Sequence, residues 1–172
     1  MGSFCCVFQR DSKSLAAYSS VTHIRFLLLG LIFITMRGKI RSVILILAHG
    51  YTSTLIFYLI GEFYHTSGSR IIYFINRFFS SRIIMGILFS VIFLSNSGVP
   101  PSLSFLSEFL VISNRIIFVK RFFIIIFIYF LISFYYSLFL ITNSLIGKGF
   151  INFNNFNVGF SRPLVLIIYN IF

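Results

Sequence analysis

Apolar residues come in long blocks along this chain, and polar residues come in short bursts between them. A helix needs about 20 apolar residues, at 1.5 Å rise each, to cross a bilayer core. Five blocks approach that length, at about 14–36, 42–64, 82–97, 102–118 and 122–146. A sixth begins near Pro163 and runs on to Phe172. The bursts between blocks carry Gly, Asn, Ser and basic residues, as loops do. The firmest break is Gly98-Val99-Pro100-Pro101. Two prolines remove two backbone donors and push Val99 out of helical geometry. The third helix must stop there, and the fourth must start there. Both are short for a full span, and short segments interrupted by Pro and Gly mark ion pathways in transporters.

The blocks are not uniformly greasy. Small and hydroxylic residues gather in SLAAYSSVTH (14–23), AHGYTST (48–54) and SNSGVPPSLSFLSE (95–108). Such residues let helices approach closely and bond across the contact. The fifth block is nearly all bulky and aromatic, which predicts a peripheral helix. The pattern as a whole predicts an all-α fold: a polytopic transmembrane helical bundle, with residues 1–172 as a single transmembrane domain fragment.

Composition strengthens this. The 172 residues are 58% hydrophobic and only 10% charged, with a mean hydropathy of +1.00. Soluble domains carry about a quarter charged residues, because their exterior needs a polar coat. Lipid removes that need. The net charge of +11 raises the question of nucleic acid. The basic residues are scattered singly, with no cluster of the kind that binds polyanions or anionic lipid, so the expected partner is the lipid bilayer, with no nucleic acid. Cys5 and Cys6 are adjacent, and vicinal cysteines rarely bridge. No Cys/His cluster is spaced for zinc. Residues 1–9 lack the basic region of a signal peptide, and both termini read as cuts through helices.

The alphabet carries an anomaly. Arg25 lies inside the first block and Arg115 inside the fourth, with no acid nearby. An arginine at a helix centre costs at least ~3 kcal/mol. Only three acids offset 14 basic residues, Met is rare, and Trp is absent from a chain that is 20% aromatic. One explanation covers all of this. Many invertebrate mitochondria read AGA/AGG as Ser, ATA as Met and TGA as Trp. Standard-code translation of such a gene yields surplus Arg and Ile, scarce Met and no Trp. The alternative is a genuinely basic membrane protein.

Three segments carry a specific resemblance: DSKSLAAYSSVTH (11–23), LILAHGYTSTLIFYLIGEFYHTSGSR (45–70) and SNSGVPPSLSFLSEF (95–109). In order and over nearly the whole chain, they resemble the subunit 4 family of mitochondrial NADH:ubiquinone oxidoreductase, respiratory complex I. The nematode-type versions are the most similar, and the match is to the C-terminal part of that subunit. The resemblance implies an antiporter-like bundle of inverted repeats with discontinuous helices. It implies a proton-translocating unit of the membrane arm, in the mitochondrial inner membrane, with other complex I membrane-arm subunits as partners. The parent enzyme uses NADH and ubiquinone, while this chain is expected to bind no cofactor and to carry no redox centre. Lys13 matches the family's central membrane lysine, His23 and His49 match its two helix histidines, and Glu108 matches the acid after the proline break. Arg70 fits the family's Ser-Arg after the helix, so it reads as a true arginine.

The residues themselves weigh in differently. Lys13 lies ten residues before His23, about 15 Å along one helix. A buried lysine gives up its proton readily, and the alternative is a loop lysine snorkelling at a helix end. An isolated membrane histidine is often a bonded core residue, although its titration range suits proton carriage. Glu108 is flanked by Phe105, Leu106, Phe109 and Leu110, where a carboxylate must be paired, hydrated or protonated. Glu62 and His65 fit solvated interface positions. Two other functions remain open: a standalone cation/proton antiporter of the same fold, and a non-functional open-reading-frame fragment.

Reading the coding DNA tests the anomaly. AGA or AGG codons are expected at Arg25, Arg115 and Arg121, and CGN codons there overturn the miscoding explanation.

Overall fold

The computed structural model describes residues 2–32, 36–74, 83–116, 120–146 and 167–169 of the chain. Its described elements are helices: α1 (Gly2–Val7), α2 (Ser12–Ile32), α3 (Met36–Ser67), α4 (Ile83–Asn96), α5 (Leu103–Ile116) and α6 (Lys120–Ile146). Residues 167–169 are also helical, and the rest of the expected sixth block lies outside the described residues. The second helix starts at Met36, several residues before the apolar block does. MRGKIR therefore extends the helix rather than forming a loop. Arg41 explains why this is tolerated. Its side chain is buried and its Nη1 donates to the Leu110 carbonyl of α5 at 2.5 Å.

The helices are inside out by the standards of water. On α2 the buried stripe is Ser12, Leu15, Ala16, Ser19, Thr22 and His23, a spacing of three and four that keeps one face inward. Tyr18, Val21, Ile24, Leu28 and Leu31 point out. The buried hydroxyls are satisfied within the helix: Ser19 donates to the Ala16 carbonyl at 2.8 Å and Thr22 to the Ser19 carbonyl at 2.6 Å. Small hydroxylic residues thus line the contacts, and large apolar ones face outward, as suits a lipid surround.

α3 is the hub and touches α2, α4 and α5. Leu55, Ile56, Leu59, Ile60 and Phe63 on α3 pack with Met85, Leu88, Phe89, Ile92 and Phe93 on α4 in the main apolar core. α6 departs from expectation. It is not simply peripheral, because Ile126, Ser133, Tyr136, Ser137, Leu140 and Ile141 form a buried stripe against α1, α4 and α5. Its aromatic richness had masked that stripe: Phe127, Phe134, Tyr135 and Phe139 do face outward. Two helical stretches, Gly38–His65 and Ile126–Asn143, are long and apolar enough to cross a membrane.

Two junctions set the helix ends. α3 ends at Ser67, and Gly68 follows with a φ of 67°, the left-handed turn that glycine makes just past a helix C-terminus. The amide of Gly68 donates to the Tyr64 carbonyl at 2.9 Å. The following loop is clasped to the start of α2. The Ser12 amide and hydroxyl both reach the Arg70 carbonyl at 2.9 Å, and the Ile72 amide reaches the Arg10 carbonyl at 2.9 Å. The Arg70 guanidinium lies 4.5 Å from the Tyr64 ring centroid, a cation–π placement.

The second junction is the proline break, where α4 stops at Asn96 and α5 begins at Leu103. Gly98 has φ 75°, and the Pro100-Pro101 peptide is cis. Ser102 caps α5 by accepting the Phe105 amide at 3.3 Å, a role its residue type favours. The hydroxyl of Ser104 bonds back to the carbonyl of Ser95 across the break.

Ile92 is 0% exposed and Ile84, on the same helix, is 63% exposed. Ile92→Ala is expected to cost about 2–5 kcal/mol through the cavity it leaves. Ile84→Ala should stay within about 0.5 kcal/mol. Thermal melts of the detergent-solubilised protein measure both, and equal losses would contradict the helix orientation.

Candidate functional site

Three helices bring three ionisable side chains to one place. α2 contributes His23, α3 contributes His49, and α5 contributes Glu108 just past the proline break. Each sits on its helix's inward stripe for a local reason. His23 follows Ser19 and Thr22 along the close-packed face of α2. His49 lies between Ala48 and Thr52, both buried, so α2 and α3 can approach there. Glu108 shares its face with Ser104 and Ser107, which are also buried.

The geometry is tight. His23 Nδ1 lies 3.3 Å from Glu108 Oε1, with the two side chains 3% and 2% exposed. The His23 and His49 rings stack with centroids 5.1 Å apart at 30°. His49 is half-buried. The His23–Glu108 contact is close enough for an ion pair but is not aligned as a hydrogen bond. Both carboxylate oxygens, His23 Nε2, His49 Nδ1 and Asn96 Nδ2 are buried without a hydrogen-bond partner. Orphaned polar atoms in an apolar interior cost free energy. The histidine and carboxylate atoms among them lie together, where His23 meets Glu108 and His49. Tyr129 of α6 lies beside Thr22 and near Glu108.

The expected site residues divide. His23, His49 and Glu108 come together, and Lys13 does not join them. Lys13 is exposed in the first turn of α2. Ten residues at 100° each place it about 80° around the helix from His23 and about 15 Å along it. The phenylalanines and leucines beside Glu108 in sequence are not its surroundings. Phe105, Leu106 and Phe109 are exposed, since neighbours in a helix point different ways. The carboxylate meets His23 and the space over Gly98 instead. Gly98 was missed as a site residue, although the SNSG run before the prolines was the signal that could have found it. Glu62 is half-buried and His65 exposed near the end of α3.

Apolar helices that hide an ionisable cluster within the bundle, beside an interrupted helix, define a polytopic α-helical membrane protein with charge-handling groups inside it. The family model "NADH:quinone oxidoreductase/Mrp antiporter, TM" matches residues 1–147, and the chain belongs to that family. It is 76% identical over 172 residues to NADH-ubiquinone oxidoreductase chain 4 of Caenorhabditis elegans, covering 100% of this chain and 42% of that protein. Against chain 4 of Ascaris suum the identity is 60%, with the same 100% and 42% coverage. The chain thus spans about two-fifths of the length of these curated relatives. A solved structure of respiratory complex I from Thermus thermophilus with bound NADH superposes with a TM-score of 0.87 at 21% identity, over 98% of this chain and 36% of the matched one. That likeness shows the fold.

If His23 and Glu108 face each other as described, removing one strands the other. Glu108→Gln or His23→Gln alone should each cost about 3–5 kcal/mol. The double variant should lose clearly less than the sum, with a coupling of about 1–3 kcal/mol. Thermal melts of the four proteins measure this, and strictly additive losses would mean the two side chains do not touch.

Proposed function

We propose that this chain is part of a proton-translocating membrane-arm subunit of NADH:ubiquinone oxidoreductase, and that His23, His49 and Glu108 are its proton relay. The observation that carries the reading is the 3.3 Å approach of His23 to Glu108 with His49 stacked behind. Membership in the antiporter family and the complex I relatives support it.

The chemistry follows from burial. A lone carboxylate in an apolar bundle is costly, so Glu108 is either protonated or paired with a cationic His23. Moving one proton from the carboxyl to the imidazole converts a neutral pair into an ion pair, and the net charge stays zero. This internal transfer moves a proton across the contact without changing the pair's net charge, while a proton taken up from outside raises the charge of the cluster by one. His49 then competes with His23. Two imidazolium rings about 5 Å apart repel by roughly 3 kcal/mol at an effective dielectric near 20, so the stack holds one excess proton at a time. Passing it on requires Glu108 or His49 to release first. Lys13 sits at the start of α2, where a proton can be exchanged with groups outside the described cluster, and transfer over the ~15 Å to His23 would have to run through water.

In this reading the redox work belongs to other subunits, which bind NADH and ubiquinone. Their chemistry biases the relay electrostatically, because protonation at one buried site changes the cost of charge at the next. The setting is the mitochondrial inner membrane, with the neighbouring membrane-arm subunits as partners. A standalone cation/proton antiporter would use the same cluster, and co-purification of partner subunits separates the two.

Glu108→Ala in the complete subunit should abolish proton pumping while NADH oxidation by the assembled complex persists. Lys13→Ala should slow pumping and leave the His23–Glu108 contact intact. Protons moved per NADH in sealed vesicles is the measurement, and undiminished pumping by the Glu108 variant would refute the relay.

A further inference from the structure

Gly98 lies against the carboxylate of Glu108. A Cβ placed on Gly98 would stand 2.6 Å from Glu108 Oε2 and 3.4 Å from its Cδ, inside van der Waals contact. Glu108 is 2% exposed, and neither of its oxygens has an aligned hydrogen bond to hold it. Among the described residues, His23 and Gly98 flank the carboxylate. On one side Oε1 leans on His23. On the other, Oε2 occupies the space a side chain at position 98 would fill.

Glycine is also favoured here by its backbone, since φ is +75° and few L-residues adopt that region. The fold contains its own control. Gly68 has φ +67°, and a Cβ there would meet nothing within 4 Å. The two glycines share the conformational demand, and only Gly98 has the steric one. The colliding atom is the far end of a flexible side chain, so a methyl at 98 would move the carboxylate before it moves the backbone.

We propose that Gly98 is a positioning residue, whose missing side chain forms the seat for Glu108 Oε2 and so holds Oε1 at His23. The inference rests on the relay reading given above. It assigns the glycine of the proline break a second task besides turning the chain. The break brings the end of α4 over the carboxylate that α5 carries, and the bare Cα lets that carboxylate lie under it.

The test uses the assembled complex in sealed vesicles with five variants: Gly98→Ala, Gly68→Ala, Glu108→Asp, Glu108→Gln, and Gly98→Ala combined with Glu108→Asp. Protons pumped per NADH are measured. Infrared difference spectra follow the Glu108 carboxyl or carboxylate stretch, assigned by its loss in Glu108→Gln. Gly98→Ala is expected to shift that band and to slow proton transfer roughly ten- to a hundredfold, as misplacement by about an ångström does. Gly68→Ala should leave both unchanged. The shorter Glu108→Asp carboxylate clears the added methyl, so the double variant should be no worse than Glu108→Asp alone. If Gly98→Ala fails to assemble, the seat requires that Glu108→Asp restore assembly. Equal effects of Gly98→Ala and Gly68→Ala, or a Gly98→Ala loss undiminished beside Glu108→Asp, would overturn the proposal. Full pumping by Glu108→Gln would remove the relay reading, while the band shift in Gly98→Ala would still decide the seat.

Discussion

A carboxylate buried in an apolar bundle must be neutralised or paired, and Glu108 meets that demand through His23. Much of the surrounding architecture serves this contact. α2 and α5, which carry the imidazole and the carboxyl, each pack against α3, and their inner faces hold Ser and Thr beside these groups. The hydroxyls bond to their own helix carbonyls, which lets polar side chains sit inside without asking for external partners. Large side chains are left to face outward, where lipid accepts them.

The proline break supplies the second constraint. A continuous helix would present Glu108 among the outward-facing turns around it. Stopping α4 at Asn96 and capping a new helix at Ser102 resets the helical phase, so that Ser104, Ser107 and Glu108 form the inner face of α5. The same interruption places Gly98 over the carboxylate. Arg41 ties α3 to α5 one turn beyond, through the Leu110 carbonyl. An arginine there finds a neutral acceptor instead of an acid, which is how a buried cation without a counter-ion is accommodated at that position.

The two histidines of the site are unequal in their surroundings. His23 has the carboxylate and His49 does not, although the two rings are stacked. Lys13, exposed at the other end of α2, is linked to this cluster by helix length rather than by contact. The clasp between residues 10–12 and 70–72 holds that end of α2 against the end of α3.

Block length, the proline break and the near absence of acids determined the helical class of this protein. They also determined that Glu108, His23 and His49 had to be explained. Periodicity works for these features because lipid imposes a length on every span and a high cost on every buried charge. What the sequence left undecided were the contacts. α6 was read as peripheral because its aromatics hid the Ser133–Tyr136–Ser137 stripe, and Arg41 fell just outside the second apolar block at about 42–64. The residues flanking Glu108 in sequence were taken for its environment. Only tertiary packing shows that the environment is an imidazole from α2 and the bare Cα of Gly98. Those partners lie on other elements, and their approach depends on how three helices cross, which no local pattern encodes.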